Sequence, residues 1–213
     1  MILSRGRNYT FVHIPKTGGT AMALALEGRA MKDDIMLGDT PKAKRRRHKV
    51  KDAATAGRLW KHSTLADLEG LVSVEDMAAM FTFTLVRNPW DRMVSYYHWL
   101  REQSFNHVAV RLAHSLEFDA FLLAPEIRAA MGAHPYGSYM TVAGRQMGHF
   151  IRLEHLDEDA APLWKHLGFA LTISVTNASN RMRDYRAYYS DSLAETVAEL
   201  CSEDIKRFGY TFE

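Results

Sequence analysis

The chain has 213 residues, of which 47% are hydrophobic and 24% charged, a size and composition that suit one globular domain and exclude wholesale disorder or a fibrous repeat. The formal charge is +2, yet residues 41–51 (PKAKRRRHKVK) hold seven Lys and Arg and no acid, leaving 20 bases against 25 acids elsewhere. Basicity is thus one local block on an acidic body, without interleaved aromatics, which argues against a nucleic-acid binder. No stretch of eighteen apolar residues occurs, so no membrane span is expected. Met1–Arg7 lacks the apolar core of a secretion signal. A single cysteine, Cys201, excludes a disulfide framework and a multi-cysteine metal site. These features predict a cytoplasmic protein.

In chain order, Tyr9–Ile14 (YTFVHI) reads as a buried strand. Pro15-Lys-Thr-Gly-Gly stops it, and 20–31 is rich in helix formers. Residues 32–58 are polar and basic without a clear period, which predicts a long insertion loop. Ser63 and Thr64 are placed to cap a helix running to Leu71. Phe81–Val86 (FTFTLV) is the second clear strand, ended by Asn88-Pro89 before a helix from Trp90 to Gln103. The segment 104–148 predicts short helices broken at Pro125 and at 132–137. His149–Leu153 is a third strand, followed by an acidic helix over 157–167 and a short strand over 170–175. Leu193, Val197, Leu200, Cys201, Ile205 and Phe208 form one apolar stripe, which predicts a single closing helix. Ser192 and Glu195 would make its capping box, and Gly209 its stop. Strands alternating with helices predict a single α/β domain over 1–213, with helices flanking a central parallel sheet in three layers.

Two segments carry chemistry. In His13-Ile-Pro-Lys16-Thr17-Gly18-Gly19-Thr20, a strand feeds a glycine turn that opens a helix. Such a turn presents backbone N–H groups and a positive dipole end to an anion. Lys16 adds a point charge, and Thr17 and Thr20 add hydroxyls. The lysine precedes the glycines, unlike the nucleotide-kinase loop, where Lys and Ser/Thr follow them and the hydroxyl holds magnesium. The second segment is Arg87-Asn-Pro-Trp-Asp-Arg92-Met-Val-Ser95. Arg87 directly follows a strand, at the carboxyl end where open α/β sheets bind ligands. An arginine there suits a second phosphate held by a charge-assisted fork, with Ser95 two helical turns on. Two anion pockets without a metal-holding acid suit a nucleotide with two separated anionic groups and no metal.

HIPKTGGT followed by LVRNPWDRMVSYY resembles the sulfotransferases that use 3′-phosphoadenosine 5′-phosphosulfate (PAPS), most of all the carbohydrate sulfotransferases. The resemblance continues through IRLEHLDED, TNASNR, YRAYYS and DIKRFGYTF, and it implies a P-loop-like fold. It assigns Lys16, Thr17, Gly18, Gly19 and Thr20 to the 5′-phosphosulfate, and Arg87 and Ser95 to the 3′-phosphate. It implies sulfuryl transfer to an acceptor hydroxyl, a carbohydrate one in that branch, with Lys16 stabilising the leaving phosphate. Related sequences place a Lys-His pair between the two motifs, which nominates His62 as general base, with Glu154 in reserve. An unperturbed histidine would make activity rise with pH near 6.5. The alternatives are a P-loop-type kinase, which needs a GK[ST] turn and a metal acid, and a non-catalytic nucleotide-binding protein.

The remaining polar and aromatic residues read as support. His13 is expected to pack beneath the turn. Arg152 and Glu154 are a candidate ion pair, and Arg92 is expected to be structural or on the surface, paired with Asp91 or a neighbouring acid. Trp90, Tyr96, Tyr97 and Trp99 are expected to pack the second helix or flank an adenine. Asn177, Ser179 and Arg181 fall in a polar loop that could close over the nucleotide.

Overall fold

The computed structural model describes residues 1–174 and 181–213. They group into two compact units, one of Met1–Val86 with the described residues from Tyr136 to Ser174, the other of Arg87–Pro135 with those from Arg181 onward.

The first unit is built on a sheet of β1 (Ile2–Ser4), β2 (Tyr9–Val12), β3 (Ile35–Met36), β4 (Phe81–Val86) and β7 (His149–Arg152), in the order β3-β1-β2-β4-β7. β2, β4 and β7 run parallel, with Val12 opposite Thr84 and Val86 opposite Arg152. This is the parallel centre that the strand–helix alternation predicts. β1 pairs antiparallel with β2 and with the edge strand β3, so the whole sheet is mixed. Strand alternation sorts its side chains to two faces. Tyr9, Phe11, Phe83, Leu85 and Ile151 pack with Met22 and Leu26 of α1 (Gly19–Gly28). Val12 and Leu3 pack on the other face with Leu65, Leu68 and Met77. Both faces are therefore covered, as a parallel sheet requires.

Several expectations need correction here. The basic block is a folded element where the sequence reading has an insertion loop: α2 (Pro41–Arg46) is capped by Thr40 and runs into a 3₁₀ turn at Arg47–Val50. Its long cations serve the carbonyls left open around the end of α1. Lys42 donates to the Glu27 carbonyl, Lys49 to that of Lys32, and Arg46 to that of Met31 at 2.7 Å. The expected helix at Ser63–Leu71 is only a 3₁₀ turn at Ala66–Leu68, with Asp67 accepting the Thr64 N–H at 2.7 Å. Ser73 instead caps α3 (Val74–Ala79). The described residues of 170–174 form no strand.

The second unit is helical. α4 (Pro89–Arg101) starts at an Asn88 cap whose side chain accepts the Trp90 N–H at 3.1 Å, with Pro89 at the first helical position. Trp90, Val94 and Tyr97 bury one face of α4 with Phe121 of α6 (Phe118–Leu123) and Ile127 of α7 (Pro125–Gly132). Pro125 separates α6 from α7, as the sequence reading has it, by taking the first position of α7. The predicted closing helix is two, α11 (Asp191–Leu200) and α12 (Ser202–Phe208), bent at Cys201. Ser190, not Ser192, caps α11. Gly209 ends α12 at φ 65 as its sequence position implies.

Candidate active site

The glycine turn leaves the carboxyl end of β2 and opens α1. Lys16 sits at φ 65 and Gly18 at φ 84, both in the left-handed region. A glycine takes that conformation freely; a lysine takes it only where the surroundings impose it. Thr17 is fully buried and its hydroxyl donates to the Ile14 carbonyl at 3.0 Å. Its hydroxyl proton is thus committed to bracing the turn, where the sequence reading has it face the anion. Lys16 and Thr20 are part-exposed. The first N–H groups of α1 have no intrahelical acceptor by the geometry of any helix start. The turn thereby offers one ammonium and a set of backbone donors.

Two glycine positions are fixed by close packing. A Cβ on Gly18 would meet Leu153 Cδ1 at 2.9 Å, and one on Gly19 would meet His13 Cδ2 at 2.1 Å. His13 therefore lies against the turn, as its place in the strand predicts. It is buried, and burial pushes its pKa well below the ordinary histidine value.

His62 stands beside His13, with ring centroids 4.7 Å apart in an edge-to-face arrangement. Its Nδ1 bonds the His13 carbonyl at 2.7 Å. A carbonyl only accepts, so Nδ1 carries the proton and Nε2 carries the lone pair of the neutral ring. Burial lowers the His62 pKa to about 4, with the His13 carbonyl opposing that shift. The flanking loop is tied down: the Ser63 hydroxyl accepts the Trp60 N–H at 2.8 Å and donates to the Arg58 carbonyl at 3.0 Å, and Lys61 pairs with Asp39 at 2.7 Å. The structure thus brings His62, His13 and the turn together.

Glu154 lies in a 3₁₀ turn after β7 and is exposed. Arg152 forks onto Asp159 through Nε at 2.8 Å and NH2 at 2.9 Å, where the sequence reading pairs it with Glu154. Among the described residues, no group of three or more His, Cys, Asp or Glu is arranged to hold a metal.

In the helical unit, Arg87 and Ser95 are both buried or nearly so. Arg87 donates through Nε to Asp91 Oδ2 at 2.7 Å and also through NH2. The second Asp91 oxygen accepts from Arg181 at 2.7 Å. Asp91 therefore takes both Arg87 and Arg181. Asn177 and Ser179 lie outside the described residues. Trp90 and Tyr97 are committed to packing, with Trp90 Nε1 donating to the Ala194 carbonyl at 2.8 Å and the Tyr97 hydroxyl to that of Leu116 at 2.9 Å.

The sulfotransferase family model matches residues 1–130, which include both the lysine turn and the Arg87–Ser95 segment. The chain belongs to the sulfotransferase family. No curated protein sequence matches it. Among solved structures it is similar to mouse sulfotransferase SULT7A1 complexed with PAP, at a TM-score of 0.53 and 17% identity, over 96% of this chain and 86% of that one. At that identity the likeness shows the fold, an α/β sulfotransferase fold with parallel strands flanked by helices. No helix among the described residues of this sulfotransferase is long and apolar enough to cross a membrane.

Proposed function

We propose that this sulfotransferase moves the sulfuryl group of PAPS to an acceptor hydroxyl, and that the acceptor is a carbohydrate. The observation that carries the reading is the turn: a lysine held at φ 65, followed by two glycines that open a helix. Lys16, Thr17, Gly18, Gly19 and Thr20 take the 5′-phosphosulfate, Thr17 through its backbone and its brace on the turn. Arg87 and Ser95 take the 3′-phosphate. The PAP in the similar mouse protein supports the same nucleotide. Both compact units serve one catalytic domain, a reading supported by a family match that draws on each.

The acceptor oxygen attacks sulfur as the bond from sulfur to the 5′-phosphate oxygen breaks, and the leaving electron pair stays on that oxygen. Lys16 and the first-turn N–H groups stabilise this developing charge. The acceptor proton passes to His62 Nε2, the nitrogen left with a lone pair by the bond from Nδ1. The carbohydrate reading is supported by the motifs and by a cationic surface on α2 and its following turn, where Lys44, Arg45, Arg47 and Lys51 are exposed. The single cysteine fits a reducing compartment such as the cytoplasm.

The test is transfer of labelled sulfate from PAPS to a panel of acidic oligosaccharides, neutral oligosaccharides, phenols and alkanols. Transfer to oligosaccharides that persists with chelator present supports the reading. Transfer to phenols alone would overturn the carbohydrate assignment. Tight PAP binding without transfer to any acceptor would favour the non-catalytic alternative.

A further inference from the structure

Trp60 stands in the turn that carries His62. Its N–H donates to the Ser63 hydroxyl at 2.8 Å, and that hydroxyl lies 3.0 Å from the carbonyls of both Arg58 and Trp60. Lys61, next in the chain, is pinned to Asp39 at 2.7 Å. The main chain of the turn is therefore held, yet its largest side chain is not packed away: Trp60 is 48% exposed. A lone exposed apolar side chain is ordinary on a protein surface. What sets Trp60 apart is its neighbour. The indole stands edge-to-face against the His62 ring, with centroids 5.0 Å apart and planes 86° from parallel. His13 occupies Nδ1 of His62 through its carbonyl, and its own ring lies 4.7 Å away. His62 is nevertheless only half-buried. An acceptor hydroxyl within hydrogen-bond reach of Nε2 lies at most about 9 Å from the indole centre. The sugar ring that bears this hydroxyl, or the ring next to it, spans that gap.

Resting on the proposed transfer to a carbohydrate, we propose that Trp60 is a specificity-determining residue for the acceptor, its indole face receiving the C–H face of a pyranose ring beside His62. The surroundings favour a sugar over a purely apolar acceptor. Arg58 is exposed on the same turn, and the Lys61–Asp39 pair is open to solvent on one side. The indole is thus an apolar face among charged groups. A pyranose has the matching pattern, a face of C–H bonds rimmed by hydroxyls. Tryptophan also suits such a ligand because it joins a broad apolar face to an N–H donor. Because the turn is already braced, Trp60 is ordered before the acceptor arrives and little entropy is lost on binding.

The experiment measures acceptor kinetics at saturating PAPS on the native protein and on Trp60→Ala, Trp60→Leu and Trp60→Phe. The probe is the oligosaccharide of the transfer panel that the native protein sulfates fastest, and PAP calorimetry reports damage elsewhere. Trp60→Ala should raise the acceptor KM about 10- to 100-fold, with kcat within about 3-fold of native and PAP affinity unchanged. Trp60→Phe keeps a flat ring and should recover most of the native KM. Trp60→Leu keeps apolar bulk without a ring face and should not. Should Trp60→Ala fail to fold, the contrast between Phe and Leu decides alone. A native KM in Trp60→Leu would overturn the platform. A fall in kcat at native KM, with the acid limb of the pH profile moved up from pH 4, would make Trp60 a cover that desolvates His62, and would overturn it too. A native protein that sulfates no oligosaccharide would overturn the carbohydrate reading and the platform with it.

Discussion

His62 Nδ1 donates to the main-chain carbonyl of His13 at 2.7 Å, and this bond settles which nitrogen of His62 can act as a base. Burial holds the ring neutral against the opposing pull of that bond, with a pKa of about 4. The groups around His62 work in both directions: Lys61 and the Met1 amino group add to the lowering, and Asp39 opposes it. An imidazole already neutral at pH 6 gains no active form as pH rises to 8. The rate should therefore be flat across that range on its acid side and fall only toward pH 4. This replaces the rise near 6.5 that an unperturbed histidine would give. A kcat/KM profile over pH 4.5–9 checks it, since an acid limb near 6.5 would mean that some other group titrates.

Removal of each candidate base separates His62 from Glu154. His62→Ala should lower kcat about 10²- to 10⁴-fold with PAP affinity nearly intact. Glu154→Gln, on an exposed carboxylate, should leave most of the turnover. The opposite ranking of the two variants on one acceptor would transfer the role to Glu154.

His13 and His62 also affect the acid stability of the fold. Their folded-state values lie below the ordinary value near 6.5 that the unfolded chain shows. Between those values the unfolded state binds protons that the folded state does not, so stability falls as pH falls. It should be complete above pH 6.5 and decline from there toward pH 4. Urea midpoints across pH 4–7 measure this, and His62→Gln should flatten the curve.

Gly19 and Gly28 make a paired test of the turn. Alanine at 19 drives a Cβ to 2.1 Å from the buried His13 ring, whereas alanine at 28 meets nothing within 4 Å. Gly19→Ala should cost about 1–3 kcal/mol of stability and disturb the turn. Gly28→Ala, within α1, should be neutral or stabilising by up to about 1 kcal/mol. Thermal unfolding of both variants decides it, and equal midpoints would mean that the His13 ring moves aside easily.

Much of this architecture is legible locally. FTFTLV is strand β4 to the residue, because β-branched and aromatic side chains bounded by a helix-opening Asn-Pro leave few alternatives. The lysine turn reads equally well, since two glycines after a strand define it. What is not legible depends on distant partners. Lys42, Arg46 and Lys49 read as part of a loop because their acceptors, the carbonyls around the end of α1, are tertiary neighbours. The bend at Cys201 hides inside an unbroken apolar stripe. Arg181 reaches Asp91 across 90 residues, and no spacing rule announces that pair.

Lys16 combines a strained backbone with its proposed role in the chemistry, which permits stability and turnover to be read separately. At φ 65, a glycine is free of the steric cost that any side chain bears there, about 1 kcal/mol. Lys16→Gly should therefore be more stable than Lys16→Ala by about that amount. Both variants lose the ammonium, so both should lose kcat to the same degree, and by more than they lose PAP affinity. That inequality follows from where charge grows: the leaving phosphate gains it in the transition state, and PAP lacks the transferring group. Unfolding midpoints, PAP calorimetry and kcat on the same two proteins give all three quantities. Turnover that survives in either variant would remove Lys16 from the chemistry. A parallel loss of kcat and PAP affinity would instead reduce it to ground-state binding of the nucleotide.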